Sequence, residues 1–392
     1  MKFLAKTLFG LEDLLVSEIL SLGGKNVQGL NRAVSFEGDL ECLYRVNYES
    51  RLAIRILKPF LEFSAHNETV LYKRLRRYDW TQMLSLEQTF SIDSTVKSDF
   101  FKHSKYISLK TKDAIVDLFR LKNDGLRPSI DIKNPDFKIN LHCNQKNFIL
   151  SLDSSGESLH RRGYRQSDRQ APLNEILATG MILLSGWDKK KPFYDPMCGS
   201  GTLLTEAYAI ANNIPPRQKR SSYGFMQWAD FDLSLWQKVK AEADEKILRS
   251  QVKIFGSEID ETQYYETKSL LSELELSDIK LSHMDFVNSD PPATEGIIVC
   301  NPPYGERLDE NDVELLYKNV GDTLKTNYSG WEAWIISSNK QALKRIGLRP
   351  SKKLMLYNGS LECKYHKYEM YKGSKKKKYQ QTKDASRHDK SF

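Results

Sequence analysis

The sequence lacks several features that would assign it to common classes of protein. Only five cysteines occur among its 392 residues, and no two of them form a CxxC pair: Cys42, Cys143, Cys198, Cys300 and Cys363. An odd number of widely spaced cysteines argues against a disulfide framework and offers no zinc-ligand spacing. No stretch approaches the roughly 20 apolar residues of a membrane-spanning helix, and the N-terminal segment has no long apolar core. We therefore expect a soluble cytoplasmic protein with reduced thiols, no membrane association and no metal.

What the chain does have is length, core-forming residues and a moderate excess of positive charge. Hydrophobic residues make up 40% of the sequence and the formal net charge is +8. A chain of this length is expected to form two or three domains. The charge favours a polyanionic partner, although a basic protein without such a partner has the same composition.

The first 155 residues alternate short strand and helix patterns, which predicts small α+β domains. Residues 1–60 form one such unit, and residues 61–155 form a more basic one. In the second, the exposed-looking Lys102 and Lys105 lie among the aromatic residues Phe100, Phe101 and Tyr106. Basic residues mixed with aromatic ones suit a surface that contacts phosphates and stacks bases. Solvated helix faces explain any single lysine equally well. Alternation in residues 138–142 and 148–152 predicts a hairpin.

After Gly156 the pattern changes to strands that alternate with helices, which predicts an α/β fold with a parallel sheet covered on both faces. The predicted strands are Phe193–Tyr194, Ile254–Phe255, Gly296–Cys300 and Trp331–Ser337. The predicted helices include Leu203–Asn212, Leu235–Leu248 and Glu261–Leu274. Residues 373–392 are rich in lysine and poor in apolar residues, so a disordered basic tail is expected.

A glycine-rich turn follows the strand Phe193–Tyr194 and opens a helix, which is a common way to bind a ligand with backbone amides. A nicotinamide-binding fingerprint would need a third glycine where Leu204 stands, and a P-loop would need a Gly-Lys-Ser/Thr sequence. The acidic residue Asp195 at the start of the turn instead favours a ligand with a cationic centre. S-adenosylmethionine has a sulfonium and an ammonium group, and Gly199 and Gly201 would leave space for its methionine portion.

Two more acidic regions follow later strands, where open α/β sheets bind their ligands. Glu258 is predicted to accept hydrogen bonds from both ribose hydroxyls of the cofactor. Asp285 is predicted to accept one from the adenine amino group, while Phe286 or Ile259 covers the adenine ring. Each acid alone could equally be a helix cap or a surface residue, but three in this pattern favour a cofactor site.

The strand Gly296–Cys300 leads into Asn301-Pro302-Pro303-Tyr304. Two prolines alone would only end a strand. The Asn301 side-chain oxygen and the Pro302 carbonyl can each accept one N–H of an exocyclic base amine, which directs the nitrogen lone pair toward a methyl donor. Tyr304 offers a ring for stacking a flipped-out base. No cysteine stands in a Pro-Cys context here, which argues against methylation of a pyrimidine C5. The tetrad predicts amine methylation and does not choose between guanine and adenine.

With these motifs the chain resembles the THUMP-domain RNA methyltransferases, in particular the bacterial large-subunit rRNA guanine-N2 methyltransferases. Further segments carry the resemblance: 159–165 with 171–175, 223–236, and 356–363. It implies a ferredoxin-like domain at 1–60, a THUMP RNA-binding domain at 61–155, a Rossmann-like class I methyltransferase domain at 156–372 and the basic tail. Some relatives carry a second methyltransferase half, and this chain stops short of one, so a single modification is expected.

The resemblance also implies site residues. The expected cofactor contacts are Pro172, Leu173, Asp195, Pro196, Cys198, Gly199, Gly201, Thr202, Glu258, Ile259, Asp285, Phe286 and Asn301. The expected catalytic residues are Asn301, Pro302 and Tyr304, and the expected RNA contacts are Lys102, Lys105, Arg161, Arg162 and Arg165. Glu258 replaces the more usual Asp and leaves the ribose contact feasible. The expected reaction is methylation of a guanine N2 in 23S rRNA by S-adenosylmethionine. The alternatives are N6-adenine methylation, guanine-N2 methylation of tRNA, or RNA binding without catalysis; the target nucleotide and the oligomeric state are left open.

Overall fold

The computed structural model describes residues 1–164, 173–304 and 309–371, and its backbone contacts divide the chain into two units. The first unit comprises residues 1–163 and 215–246. The second comprises the described residues between 164 and 214 and between 247 and 371. Each unit contains one sheet.

The first unit is built on an eight-stranded sheet with the strand order β2-β3-β1-β4-β8-β7-β5-β6. Its elements are β1 (Lys2–Lys6), α1 (Glu12–Ser21), β2 (Lys25–Leu30), β3 (Ala33–Glu37), α2 (Leu40–Glu49), β4 (Arg55–Ser64), α3 (Glu68–Arg77), β5 (Thr89–Lys97), α4 (Ser104–Lys122), β6 (Ser129–Ile130), β7 (Phe137–Asn144) and β8 (Asn147–Asp153). The predicted hairpin is confirmed: β7 and β8 pair antiparallel up to Asn144 opposite Asn147, and Gln145 takes a positive φ of 55° in the turn.

Strand β4 joins the two segments that the sequence separates at residue 60. It pairs with β1 on one side, through Leu57 opposite Leu4, and with β8 on the other, through Phe63 opposite Phe148. The predicted boundary therefore falls inside a strand, and residues on both sides of it belong to one sheet. The division of the chain at 60, 155 and 372 stays a prediction.

The second unit begins with α5 (Glu175–Leu184), β9 (Phe193–Asp195) and α6 (Thr202–Ala211). The chain then contributes residues 215–246, with α7 (Leu233–Asp244), to the first unit. It returns with β10 (Ile254–Glu258), α8 (Glu261–Glu273), β11 (Ile279–His283), β12 (Gly296–Cys300), α9 (Glu310–Asn327), β13 (Trp331–Ser337), α10 (Lys340–Arg345), β14 (Lys352–Asn358) and β15 (Leu361–Glu369). The predicted strands and helices of this part are confirmed to within a few residues at their ends.

The seven-stranded sheet of the second unit has the order β11-β10-β9-β12-β13-β15-β14. Strands β11, β10, β9, β12 and β13 are parallel, while β15 runs antiparallel to β13 and to β14. The chain winds outward in both directions from β9, so the crevice between β9 and β12 is a topological switch point. Ligands of open α/β sheets bind beyond the carboxyl ends of the strands at such a point.

Burial explains which strands the sequence could reveal. All five residues of β10 and all five of β12 are buried, but only β12 is a continuous apolar run, so the predicted part of β10 ends at Phe255. Strand β11 lies at the sheet edge, buries only Ile279 fully and was not recognised as a strand. The core beneath the switch point packs Tyr194 of β9 against Tyr328 and Trp331.

All five cysteine thiols are free and buried. Within the described ranges, no helix is long and apolar enough to cross a bilayer, and no group of three or more His, Cys, Asp or Glu side chains could hold a metal ion.

Candidate active site

The glycine-rich turn after β9 is fastened to the neighbouring strand β10 by hydrogen bonds. The backbone amide of Cys198 donates to the Ser257 carbonyl at 2.9 Å, and the Gly199 amide donates to Glu258 Oε2 at 2.8 Å. The Ser257 hydroxyl donates to the Pro196 carbonyl at 2.8 Å. These bonds fix the turn at the carboxyl end of β9, directly before the amino end of α6, where backbone amides favour an anionic or polar ligand group.

Gly201 shows why this turn needs glycine. Its φ is +72°, a left-handed conformation, and a Cβ there would lie 2.8 Å from the Thr267 Cγ2 atom of α8. The Thr267 hydroxyl in turn donates to the Gly199 carbonyl. A side chain at residue 201 would strain the backbone and push the turn away from α8. Thr202, the next residue, begins α6 and is buried.

Two buried carboxylates give the turn a negative potential. Asp195 is 2% exposed and Glu258 is 7% exposed, and neither forms an ion pair with a basic side chain of the described residues. Burial raises the pKa of Asp195 well above its ordinary value, and the nearby Glu258 raises it further. The pKa values of the Cys198 and Cys300 thiols are raised by burial and then by the same two acids. Such a site favours a ligand with a positive centre, because a nearby cation stabilises the charged form of a carboxyl group that burial disfavours.

Three backbone amides hold the Glu258 carboxylate in place. Oε2 accepts from Gly199, and Oε1 accepts from the amides of Ile259 at 3.0 Å and Asp260 at 2.9 Å. A carboxylate has about four acceptor positions. About one therefore remains for a ligand hydroxyl, fewer than the two that were expected for a ribose.

The residues predicted to contact the adenine differ in how far their side chains are exposed to a ligand. Asp285 is exposed, and its Oδ1 accepts from the Val287 amide at 2.9 Å, which fixes its orientation. The Phe286 ring is 2% exposed and packs against Tyr328 with the ring centroids 5.2 Å apart. The prediction that this ring covers an adenine is therefore not retained, because the ring already belongs to the core. Ile259 is 63% exposed and keeps that role as a proposal.

The tetrad begins at the carboxyl end of β12, beside the turn that follows β9. Asn301 Oδ1 is buried and accepts no hydrogen bond from any of the described residues. Pro302 is buried, Pro303 is exposed and Tyr304 is half-buried. A buried acceptor without a donor costs about 1–3 kcal/mol, so one that persists in a fold is a candidate for a ligand contact.

The side chain of Asn358 anchors Tyr304 and was not singled out by sequence reasoning. Its Nδ2 donates to the Tyr304 hydroxyl at 2.6 Å. Asn358 is the last residue of β14, opposite Leu361 of β15, and Gly359 with φ of +61° makes the turn between them. The only available signal was the hairpin motif at 356–363, which marks the turn but does not reveal its distant partner.

The remaining cofactor predictions are distributed as follows. Pro196 is buried in the turn, and Leu173 is 8% exposed just before Asn174, whose side chain caps α5. Pro172 lies outside the described residues. Strand order brings Asp195, Glu258 and Asn301 to the ends of three neighbouring strands, about 5 Å apart from one to the next.

The predicted RNA contacts differ in their exposure to solvent. Lys102, Lys105 and Arg161 are exposed, and Arg161 pairs with Glu157 at 2.7 Å. Arg162 is only 4% exposed and donates to the carbonyls of Leu159 and Arg51. We remove Arg162 from the RNA surface, since a guanidinium committed to buried carbonyls cannot reach a phosphate. Arg165 lies outside the described residues.

Family models match three consecutive parts of the chain. An RlmL ferredoxin-like domain matches residues 2–57, a THUMP domain matches residues 65–153 and an RMKL-like methyltransferase domain matches residues 162–367. The predicted fold class is confirmed: ferredoxin-like and THUMP domains precede a class I methyltransferase domain.

Individual relatives agree with these matches. A protein of Synechocystis sp. named as a candidate RNA methyltransferase is 40% identical over 92% of this chain and 95% of its own length. The ribosomal RNA large subunit methyltransferase K/L of Syntrophotalea carbinolica is 37% identical over 93% of this chain, which spans 53% of that protein. A crystal structure of a methyltransferase candidate, SMU.472, complexed with SAH superposes with a TM-score of 0.84 and 30% identity over 95% of this chain and 99% of that one. The chain belongs to the RMKL-like methyltransferase family and has the fold of S-adenosylmethionine-dependent methyltransferases.

Proposed function

We propose that this protein methylates the exocyclic N2 amine of a guanine in 23S rRNA. The observation that carries the proposal is the buried Oδ1 of Asn301, an acceptor with no donor among the described residues, at the end of the strand beside the cofactor turn. An exocyclic amine supplies the N–H that this oxygen lacks.

Asn301, Pro302 and Tyr304 would act on the base in different ways. A base amine is a poor nucleophile because its lone pair is delocalised into the ring. Asn301 Oδ1 and the Pro302 carbonyl each accept one N–H, which holds the nitrogen and directs its lone pair. The ring of Tyr304 stacks on the flipped base, a contact worth about 1–3 kcal/mol, and Asn358 fixes the ring by its hydrogen bond. No strong base is needed, since the amine becomes acidic only after methylation.

The cofactor turn fits S-adenosylmethionine, which supplies an electrophilic methyl group on a sulfonium. The buried charges of Asp195 and Glu258 favour its cationic groups. Gly199 and Gly201 keep the backbone open for its methionine part, and the remaining acceptor position of Glu258 suits a ribose hydroxyl. Cys198, Thr202 and Leu173 line the same region in this proposal.

The RNA substrate is supported by the THUMP domain and by the names of the relatives. Lys102, Lys105 and Arg161 are the exposed residues of the first unit that are proposed to contact RNA phosphates. A Lys102→Ala, Lys105→Ala variant should bind RNA more weakly, with a salt dependence flatter by about 0.7–0.9 per lost contact. A Lys2→Ala, Lys25→Ala variant removes equal charge elsewhere in the unit and serves as the control. Equal salt slopes in both variants would mean that these lysines form only a solvated face.

Incubation with methyl-labelled S-adenosylmethionine and either undermodified 23S rRNA or tRNA, followed by digestion to nucleosides, tests the substrate. We expect label in N2-methylguanosine from the rRNA alone. Label in N6-methyladenosine, or in tRNA only, would replace the assignment by one of its alternatives, because the tetrad serves either amine. If calorimetry detected no S-adenosylmethionine binding, the protein would be an RNA-binding protein without this activity.

A further inference from the structure

A cavity of about 550 Å³ lies between α10 and the β14–β15 hairpin. We name it the hairpin groove. Its apolar floor is formed by Leu343, Leu348, Leu354, Met355 and Tyr368, and its cationic rim by Lys340, Lys344, Lys353 and Lys364. Pockets of about 300–1,000 Å³ with an apolar lining and a few polar groups are typical ligand sites.

The residues that line the hairpin groove carry a net positive charge. Glu362 is the carboxylate that neutralises part of the rim, and it is shared by Lys340 at 3.3 Å and Lys364 at 3.2 Å. Lys344 donates to the neutral Gln341 at 3.1 Å, and Lys353 forms no ion pair with any acid in the described part of the chain. The rim therefore keeps an excess of positive charge over an apolar surface.

His366 also lines the hairpin groove. Burial, and then the charges of Lys353 and Lys364, lower the pKa of His366 to about 4. The ring is therefore neutral at physiological pH and adds a flat, uncharged surface to the groove. A cationic rim over a flat, neutral surface complements a single nucleic-acid strand, because its phosphates bind lysine side chains and its bases pack against apolar surfaces.

Strand β14, at the edge of the sheet, carries residues of both the hairpin groove and the candidate active site. Asn358, which anchors Tyr304, ends β14, and Met355 of the groove floor precedes it by three residues. Three residues of a strand span about 10 Å. The separation along β14 is that of about three stacked nucleotides at ~3.4 Å each, with the side chains of Met355 and Asn358 on opposite faces of the strand.

We propose that the hairpin groove binds the RNA strand that flanks the target nucleotide, with rim lysines on its phosphates and a base on the apolar floor. This inference rests on the proposed function, since it requires an RNA substrate. It adds a binding site in the methyltransferase domain to the one proposed around Lys102 and Lys105.

The test compares the full chain with two double variants of equal charge. Lys344→Ala, Lys353→Ala removes the two rim lysines that form no ion pair, while Lys190→Ala, Lys253→Ala removes two exposed lysines just before β9 and β10, at the amino ends of the parallel strands. Fluorescence anisotropy with an end-labelled transcript of undermodified 23S rRNA gives the affinity across a KCl series. Steady-state methylation of the same transcript gives KM and kcat.

The groove variant should lose about 1.4–1.8 from the slope of log affinity against log salt, at 0.7–0.9 per phosphate contact. Its KM for RNA should rise while kcat at saturating RNA and the unfolding midpoint match the control. Equal slopes and KM in the two variants would overturn the groove proposal while leaving the proposed function intact. Absence of RNA binding by the unmodified protein would overturn both. Binding of an acidic peptide with the affinity of the transcript would show a protein partner instead.

Discussion

Replacing Asn301 by alanine tests the role of its buried oxygen, and the structure predicts a loss of activity without a loss of stability. In the folded protein Oδ1 is buried without a donor among the described residues. Its removal relieves an unsatisfied group worth about 1–3 kcal/mol, so the free energy of unfolding should not fall. In the complex the same oxygen would hold one N–H of the substrate amine. Deleting one such preorganised contact costs about 3–4 kcal/mol, or about 10²–10³-fold in kcat.

Single-turnover transfer of labelled methyl groups to RNA measures the activity, thermal unfolding measures the stability, and calorimetry measures S-adenosylmethionine affinity. Asn301→Ala should lose turnover while keeping its unfolding midpoint and most of its cofactor affinity. Asn301→Asp keeps an acceptor oxygen and should retain more activity than the alanine variant. Wild-type turnover in Asn301→Ala, or a loss of activity matched by a loss of folded protein, would refute the reasoning.

Three further outcomes follow from the site. Gly201→Ala should abolish cofactor binding. Gly186→Ala is the control, because Gly186 has a similar φ of +73° but an added Cβ there meets no atom within 4 Å, so only backbone strain of about 1–2 kcal/mol is expected. Equal cofactor affinities in the two variants would contradict the steric role of Gly201. Cationic cofactor binding should lower the raised pKa of Asp195 and release a proton, so the cofactor affinity should fall as the pH drops below the pKa of the free protein. A dissociation constant that does not change with pH over the range in which the protein stays folded would contradict this. Tyr304→Phe and Asn358→Ala both remove the hydrogen bond between these side chains, so their effects on kcat/KM should not add in the double variant. Additive losses would mean that Asn358 acts independently of Tyr304.

The cofactor turn and the tetrad could be predicted because their chemistry is local in sequence. A strand, a glycine-rich turn and a helix follow one another within residues 193–211, and Asn301 follows a wholly buried strand. The alternation of strands and helices then places their ends at one edge of a parallel sheet. These inferences need only the period of the apolar residues and the special backbone of glycine and proline.

The contacts that sequence reasoning missed are long-range ones. Asn358 reaches Tyr304 across 54 positions of the chain, and Arg162 reaches the Arg51 carbonyl across 111. No local pattern reveals either partner, so the sequence predicts neither the role of Asn358 nor the burial of Arg162, which it offers as an RNA contact. The burial of Phe286 is likewise invisible in the sequence, because it depends on Tyr328 of a distant segment.

The central claim is that Asn301-Pro302-Pro303-Tyr304 serves the methylation of an exocyclic amine. Fragmentation mass spectrometry of the methylated nucleoside made by the wild-type protein, run beside Asn301→Ala, tests it most directly by locating the new methyl group. We expect a methyl group on the N2 amine of guanosine in the wild-type product, and almost no methylated nucleoside from the variant. A methyl group on a ring carbon, a ring nitrogen or a ribose oxygen, made equally by both proteins, would contradict it.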